Sequence, residues 1–319
     1  MASLKELSKR KDIFCAGHRA CSGCAPATTM RQVTLAVNTH LVAGLSTGCM
    51  EVVSTIYPYT AWRSSFIHNA FENVAATISG VETAYRALKK KGKLDAEYSF
   101  IAFGGDGGTY DIGLQSLSGA MERGHNMLYL CYDNQGYMNT GIQRSSSTPF
   151  GAATSTTPAG IKIGGKQQFQ KDLTQIMVAH DLPYVAQASI GYYRDLNKKV
   201  EKALKTQGPK FMNVLACCHR GWRIDPADSL KYSKLAVDTC VWPLFEVENG
   251  VYKLSRKPTE KLPVEEWLKG QGRFNHLFKP ENADMLRAFQ EYVDRKWEWL
   301  LWKCGESKER PIEAPAKTV

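Results

Sequence analysis

Two stretches of the chain repeat apolar residues at the three- and four-residue intervals of an amphipathic helix. The first covers residues 69–91, and the second runs from about Asn282 to Lys303. Each pattern predicts a long helix with one buried face. The apolar positions are Val74, Ile78, Val81, Tyr85 and Leu88 in the first helix, and Leu286, Phe289, Val293, Trp297 and Leu300 in the second.

Short apolar runs without helical spacing predict buried strands elsewhere in the chain. Two of them, "YSFIAFGG" at 98–105 and "NMLYLCYDN" at 126–134, enclose "IGLQSLSGAMERG", which predicts a helix. Two more, "YVAQASI" and "KFMNVLACC", enclose a helix near 193–206. This alternation predicts an α/β fold with right-handed βαβ units and a mainly parallel sheet flanked by helices. On the helix after the first strand, one face would hold Ile112, Leu117 and Met121.

The rest of the chain is less regular, and its composition suggests how it is divided. Residues 1–30 carry few periodic elements, and residues 140–166 are rich in Ser, Thr, Gly and Pro. A loop as long as 140–166 is usually functional or disordered. We expect a main domain over 1–240 and a C-terminal helical arm over 241–319. Trp299 and Trp302 lie off the apolar stripe of that arm and are available for contact with another subunit.

Charge and apolar runs limit the partners that we expect. The chain has 319 residues and a net charge of +10, from 41 Lys and Arg against 31 Asp and Glu. We find no basic stripe interleaved with aromatic residues, so an acidic protein partner fits better than nucleic acid. No secretory signal is visible, and no run approaches the ~18 apolar residues of a membrane span. We therefore expect a cytoplasmic protein without membrane contact.

The segment "GGDGG" at 104–108 holds an aspartate, Asp106, between the first strand and its helix. Asn134 follows the next strand, 28 positions later, so adjacent parallel strands would bring both side chains to one edge of the sheet. Carboxylate, amide and carbonyl oxygens are suitable ligands for Mg²⁺, and glycines admit a diphosphate close to the backbone. The alternative is a glycine turn in which Asp106 caps a helix and Asn134 forms an Asx turn.

A second group of candidate ligands comes from the nine cysteines, which in a cytoplasmic chain suggest metal or redox use. Cys21 and Cys24 form a C-x2-C pair, Cys49 follows in "TGCMEV", and Cys218 lies far downstream in "CCHRGW". Four cysteines bind either zinc or an iron–sulfur cluster. Zinc ribbons usually carry two close pairs, whereas this chain has one pair and two single cysteines. Apolar surroundings instead predict that Cys131, Cys240 and Cys304 are ordinary buried residues.

Together these stretches resemble the beta subunits of the pyruvate:ferredoxin oxidoreductases, within the 2-oxoacid:ferredoxin oxidoreductase family. The resemblance covers nearly the whole chain, through "GHRACSGCAPA", "TGCMEVVSTIYPYTAW", "GGDGGTYDIGLQSLSGAMERGHNMLYLCYDN", "YMNTGIQRSSSTPFGA" and "QGRFNHLFKPEN". It implies a thiamine diphosphate-binding fold. It also implies a [4Fe–4S] cluster on Cys21, Cys24, Cys49 and Cys218, Mg²⁺ on Asp106, Asn134 and the carbonyl of Gly136, catalytic Asn139 facing the thiazolium and substrate, and further cofactor contacts from Thr47, Gly48, Gly105 and Gly107.

The resemblance implies oxidative decarboxylation of pyruvate to acetyl-CoA and CO2, with electrons passed through the cluster to ferredoxin. Thiamine diphosphate supplies the electron sink for decarboxylation, and a cluster accepts electrons singly. The family keeps the glutamate that activates the aminopyrimidine in a partner subunit, so this chain should be half of an active site. Glu51 and Glu72 lie in segments that we interpret as helical and structural. Alternatives are the same chemistry on oxalate or another 2-oxoacid, or a non-catalytic four-cysteine module.

Two local features leave questions open. Relatives often read Cys-Pro-x-Gly-Trp where this chain has Cys218-His219-Arg220-Gly221-Trp222, and the change does not reveal which substrate is used. Cys217 makes the fourth cluster ligand ambiguous, although the spacing to Gly221 and Trp222 favours Cys218. His18 is a candidate base, but we favour a structural hydrogen-bonding role.

Overall fold

A computed structural model of the chain describes residues 3–160 and 163–311. In this part of the chain eight strands form one sheet with the order β2-β1-β3-β4-β6-β5-β7-β8. The six strands β1 to β6 are parallel, and β7 and β8 extend the β5 edge in antiparallel pairing. The strands are β1 His40–Ser46, β2 Ser65–Asn69, β3 Tyr98–Gly105, β4 Leu128–Asp133, β5 Tyr184–Ser189, β6 Lys210–Leu215, β7 Phe245–Glu248 and β8 Val251–Leu254.

Helices flank this sheet and supply the other half of the core. The helix Val74–Lys90 packs against β1 and β3, and the helix Tyr193–Lys205 packs against β5. In the described residues no helix has the length and apolar character needed to cross a bilayer. The α-helices are α1 Leu4–Leu7, α2 Ala25–Leu35, α3 Cys49–Ser54, α4 Val74–Lys90, α5 Leu114–Glu122, α6 Leu173–Val178, α7 Tyr193–Lys205, α8 His219–Trp222, α9 Ser229–Asp238, α10 Val264–Leu268 and α11 Ala283–Lys303. Short 3₁₀ turns cover Ile190–Tyr192, Pro226–Asp228, Gly272–Phe278 and Pro280–Asn282.

The predicted α/β architecture is confirmed, and the two strands around Asp106 are adjacent and parallel. The helix predicted over 69–91 begins later, at Val74, because residues 65–69 form β2 and pair with β1. Its apolar face is also shorter than predicted, since Leu88 is 42% exposed. In the N-terminal region, where we expected few elements, α2 begins at Ala25.

Between β3 and α5 the backbone forms a π-helix over Gly107–Ile112. Gly113 N donates to Gly108 O, five residues earlier, at 2.7 Å. The wider turn changes the phase of the side chains relative to an α-helix. The prediction that Ile112 shares a buried face with Leu117 and Met121 is therefore wrong, because Ile112 is 60% exposed.

The C-terminal segment contains more of the sheet than its apolar pattern suggested. Strands β7 and β8 belong to it, and the predicted long helix is confirmed as α11, with Trp297 buried. Trp299 packs edge-on against Tyr252 of β8, with ring centroids 6.0 Å apart. The division at residue 240 and a subunit contact through this segment stay predictions.

The long loop over 140–166 is tied to the sheet by hydrogen bonds. Ser145, Ser147 and Thr148 are buried, although their composition is typical of a surface loop. The buried Lys166 ammonium donates to the carbonyl of Thr148 at 2.5 Å and, at longer range, to those of Ser145 and Ser146. These bonds close the loop on itself, and the bonds from Ser145 Oγ to Asp106 Oδ2 at 2.6 Å and from Ser147 Oγ to Asp133 Oδ1 at 2.7 Å hold it against the carboxyl edge of the sheet.

Candidate cofactor and cluster site

The predicted site residues meet at the carboxyl ends of four neighbouring strands, β1, β3, β4 and β6. This edge is where parallel α/β sheets bind ligands. A cleft with an empty volume of about 450 Å³ opens there. Its lining includes all eight predicted cofactor residues, namely Thr47, Gly48, Gly105, Asp106, Gly107, Asn134, Gly136 and Asn139.

Asp106, Asn134 and the carbonyl of Gly136 converge at the floor of the cleft. One terminal atom of the Asn134 amide lies 3.0 Å from Asp106 Oδ1 and 2.9 Å from the carbonyl oxygen of Gly136. Both neighbours are acceptors, so hydrogen bonding assigns this atom as the amide nitrogen, which donates to both. Mg²⁺ holds oxygens at about 2.1 Å in an octahedron, which puts neighbouring ligands about 3.0 Å apart. The spacing therefore fits a magnesium site in which the amide of Asn134 turns its oxygen toward the metal.

The electrostatics of Asp106 also favour a cation. Its Oδ1 accepts from the backbone N–H of Asn134 at 3.1 Å, and its Oδ2 accepts from Ser145 Oγ at 2.6 Å. Burial and the nearby carboxylate of Asp133 raise the pKa of Asp106 well above its usual range. A divalent cation beside the carboxylate would reverse this shift by stabilising its charged form.

The glycines around Asp106 allow close approach of other groups. A Cβ on Gly107 would lie 2.4 Å from the ring of Tyr137, and one on Gly108 would lie 2.8 Å from the carbonyl oxygen of Phe71. The Tyr137 hydroxyl donates to the carbonyl of Gly107 at 2.8 Å, which holds the ring there. Only glycine fits at these two positions without displacing a neighbour.

Thr47, Gly48 and Cys49 connect the cleft to the cysteines. Thr47 Oγ1 donates to the carbonyl of Asn69 at 2.8 Å and fixes the end of β1. Gly48 and Cys49 then enter α3. Asn139 is exposed and lines the cleft, and its nearby backbone N–H acts to lower the pKa of the Cys49 thiol. One short segment therefore borders both the cleft and the cysteine group.

The four predicted cluster ligands form one group in which the thiols interact electrostatically. Cys24 and Cys218 are the N-cap residues of α2 and α8, and Cys49 is the first residue of α3. Backbone N–H groups there favour thiolates. Gly221 N, for example, donates to Cys218 Sγ at 3.4 Å.

Burial, in contrast to the backbone N–H groups, disfavours the thiolate form of these cysteines. It raises the pKa of Cys24 to about 11 and that of Cys49 to about 12. Binding of a metal centre would displace these protons, because thiolates are the ligands. Among residues 3–160 and 163–311, no three His, Cys, Asp or Glu side chains are arranged to hold a single metal ion. A [4Fe–4S] cluster is larger than one ion and allows wider spacing of its ligands.

The remaining cysteines differ from this group. Cys131, Cys217 and Cys240 are almost fully buried, and Cys15 is half-buried and donates to the carbonyl of Asp12 at 3.4 Å. Cys304, which we expected to be buried, is half-buried just after α11. Burial raises the pKa of Cys217 well above its usual range. Cys218 is more accessible and accepts backbone hydrogen bonds, so the contacts favour Cys218 over Cys217 as a ligand.

The described lining of the cleft contains no glutamate. Glu51 lies in α3 and accepts from Thr55 Oγ1 at 2.9 Å, and its carboxylate is 3.4 Å from His68 Nδ1. Glu72 is exposed in the loop before α4, so our interpretation of its segment as helical is wrong. His18 accepts from Ala20 N at 3.4 Å and stacks on Phe14. The contacts of Glu51 and His18 agree with structural roles for these two residues.

Two functional neighbours were missed by sequence reasoning. Trp222 donates from Nε1 to the carbonyl of Asn134 at 2.9 Å, and Arg273 lies 4.0 Å from the centre of the Trp222 indole. Arg273 Nη2 also donates to Gln135 Oε1 at 2.7 Å. These bonds join the cysteine loop of α8 to the loop that carries Asn134. Their only sequence signals were the strings "HRGW" and "QGRFNHLF".

Comparison with known proteins decides the family. The model for "Thiamine pyrophosphate enzyme, C-terminal TPP binding domain" matches residues 46–214. A pyruvate synthase subunit PorB from Thermotoga maritima is 54% identical over 97% of both chains. The chain belongs to the thiamine diphosphate-binding subunits of the 2-oxoacid:ferredoxin oxidoreductases. It is therefore a subunit of a thiamine diphosphate-dependent enzyme of this family.

Other members of this subunit family show the range of related proteins. The PorB subunit of pyruvate synthase from Methanocaldococcus jannaschii is 50% identical, over 91% of this chain and 97% of that one. A ketoisovalerate oxidoreductase subunit VorB from Pyrococcus abyssi is 42% identical, over 90% and 92%. A solved 2-oxoglutarate:ferredoxin oxidoreductase from Magnetococcus marinus, with 2-oxoglutarate, coenzyme A and succinyl-CoA bound, has a TM-score of 0.50. It is 21% identical over 67% of this chain and 76% of that one, so it supports the fold alone.

Proposed function

We propose that this chain is the catalytic subunit of a pyruvate:ferredoxin oxidoreductase, which converts pyruvate and coenzyme A to acetyl-CoA and CO2 and reduces ferredoxin. The observation that carries the proposal is that the oxygen-ligand site and the cysteine group lie next to each other along one backbone segment. The oxygens of Asp106, Asn134 and Gly136 and the sulfurs of the four-cysteine group border one backbone segment, Thr47 to Cys49. The site of 2-oxoacid decarboxylation and the electron-accepting cluster would then be neighbours.

Each residue has a definite role in this proposal. Asp106, Asn134 and the Gly136 carbonyl hold Mg²⁺, which binds the diphosphate of the cofactor. Gly105, Gly107 and Gly48 line the cleft with backbone alone while tyrosine side chains fill the space beside them, and Thr47 orients the segment before Cys49. Asn139 stands at the mouth of the cleft, where its amide can hydrogen-bond substrate. Cys21, Cys24, Cys49 and Cys218 hold a [4Fe–4S] cluster.

The bound cofactors supply an electron sink for decarboxylation and an acceptor of single electrons. The protein would hold the first beside the second. Because the described cleft lining has no glutamate, a partner subunit supplies the group that faces the aminopyrimidine. We expect the complex to work in the cytoplasm, where reduced cysteines persist.

Pyruvate is the proposed substrate because the similar PorB proteins are named for pyruvate synthase. The VorB relative, named for ketoisovalerate, keeps a branched 2-oxoacid as a second candidate. The test is purification of the complex and assay of CoA-dependent ferredoxin reduction with pyruvate, 2-oxoglutarate, oxalate and branched 2-oxoacids. Iron, labile sulfide and thiamine are measured on the same sample. Absence of iron or thiamine, or a higher kcat/KM on another acid, contradicts the proposal.

A further inference from the structure

Arg273 is a buried cation whose hydrogen-bond partners are neutral. The side chain is 1% exposed. Its Nε donates to Gln271 Oε1 at 3.0 Å and its Nη2 donates to Gln135 Oε1, while its Nη1 has no partner among the described residues. Burial lowers the pKa of Arg273 to about 9, so the guanidinium is still charged at neutral pH. A buried charge of this kind costs several kcal/mol, as an order of magnitude, unless a counter-charge lies nearby.

No carboxylate in the described part of the chain forms an ion pair with Arg273. The acidic groups that act on Arg273 electrostatically are, in decreasing strength, the thiols of Cys217 and Cys218 and then the carboxylates of Asp133 and Asp106. Burial raises the pKa of Cys217 well above its usual range, so this thiol supplies no charge. The Asp133 carboxylate accepts from Tyr110 Oη, Ser147 Oγ and the backbone N–H of Gln135, which are neutral donors, so its charge also acts on Arg273. The guanidinium therefore acts both on the buried carboxylates and on the Cys218 loop, and the test must separate the two.

Packing fixes Arg273 in this position. Its guanidinium lies over the indole of Trp222, at 4.0 Å, and near the rings of Trp267 and Phe274. Trp222 is the last residue of α8, and Cys218 is the N-cap residue of the same helix. The stacking of Arg273 on Trp222 therefore fixes the position of the guanidinium relative to Cys218.

We propose that Arg273 is a positioning residue whose charge compensates the four-cysteine cluster and raises its reduction potential. This inference rests on the proposed function, because it requires the cluster. Reduction adds a negative charge to a centre that already carries four thiolates, and a nearby fixed cation stabilises the reduced form. Loss of Arg273 therefore makes the cluster a weaker electron acceptor.

The test is a redox titration of the cluster in the purified complex, followed by electron paramagnetic resonance. Arg273→Met and Arg273→Gln remove the charge, whereas Arg273→Lys keeps it. At the wild-type midpoint, the neutral variants should show at least a tenfold lower ratio of reduced to oxidised cluster, equal to about 59 mV for a one-electron couple. Arg273→Lys should remain closer to wild type than either.

Arg123→Met is the control for removal of an arginine charge far from the cysteines, at an exposed position. Arg123 precedes β4 and lies toward the opposite edge of the sheet from Asn134, where it donates to His125 Nε2. Its loss should leave the midpoint unchanged.

Each outcome decides the inference. An unchanged midpoint in a neutral variant with full iron content overturns it, even if thiamine affinity falls, because the charge would then serve the diphosphate. The inference is also overturned if the reduction midpoint of the cluster falls as far in Arg273→Lys as in the neutral variants. If Arg273→Met does not assemble, Arg273→Gln is measured in its place. A wild-type complex without iron contradicts the proposed function instead, before any variant is made.

Discussion

The hydrogen bond from Trp222 to the Asn134 carbonyl links the cysteine loop to the proposed magnesium site, and its removal tests that link. Trp222→Phe keeps a ring beneath Arg273 but removes the Nε1 donor, 2.9 Å from a carbonyl that belongs to a buried residue. A buried acceptor without a donor costs about 1–3 kcal/mol. If this free energy destabilises the conformation of Asn134 that the proposed Mg²⁺ site requires, the affinity for thiamine diphosphate should fall about 5- to 150-fold.

Trp242→Phe provides a control with the same chemical change. Trp242 is also buried and donates from Nε1 to the carbonyl of Ala188 at 2.8 Å, in β5 and away from Asn134. Both variants should lose about 1–3 kcal/mol in free energy of unfolding. Only Trp222→Phe should weaken cofactor binding.

The assay is a titration of the complex with thiamine diphosphate at saturating Mg²⁺, together with denaturant unfolding of each variant chain. Iron content confirms that the cluster is intact. A Trp222→Phe complex that binds the cofactor within twofold of wild type would refute the link, and so would an equal loss in Trp242→Phe.

Cys49→Ser removes one thiolate of the proposed cluster, so the complex should lose its iron and broad visible absorption, whereas Cys131→Ser should keep both. Full iron content in Cys49→Ser contradicts the assignment. Gly107→Ala puts a methyl group 2.4 Å from the Tyr137 ring and should lower the free energy of unfolding by about 1–3 kcal/mol. Gly80→Ala has no atom within 4 Å and should raise it by up to about 1 kcal/mol; equal effects in denaturation would disprove the packing argument. Without its partner, the chain should release no CO2 from pyruvate and bind thiamine diphosphate weakly, and turnover by the chain alone excludes a half-site.

The meeting of Asp106 and Asn134 could be predicted because it depends on local patterns. Two apolar strands separated by one helix define a parallel pair, and each polar residue directly follows its strand. The long helix α11 was predictable for the same reason, since its apolar stripe repeats over many turns. Strands β7 and β8 are short and half-exposed, so their alternation was too brief to separate from a loop.

The contacts made by Arg273 could not be predicted from local patterns. A charged residue is expected at the surface, and its partner Gln135 lies 138 positions away. The exposure of Ile112 was hidden for another reason, because the sequence gives no sign that a π-helix precedes α5. The buried serines of the loop over 140–166 also lack a periodic signal, since their burial depends on hydrogen bonds with Asp106 and Asp133.

The segment from Thr47 to Cys49 has a consequence for the enzyme in air. Molecular oxygen attacks exposed iron–sulfur centres, and Cys21 is the most exposed of the four cysteines. Loss of the proposed cluster would free Cys49, the first residue of α3, and with it the turn that carries Gly48. We therefore expect oxidative damage at the cysteines to weaken cofactor binding in the neighbouring cleft as well.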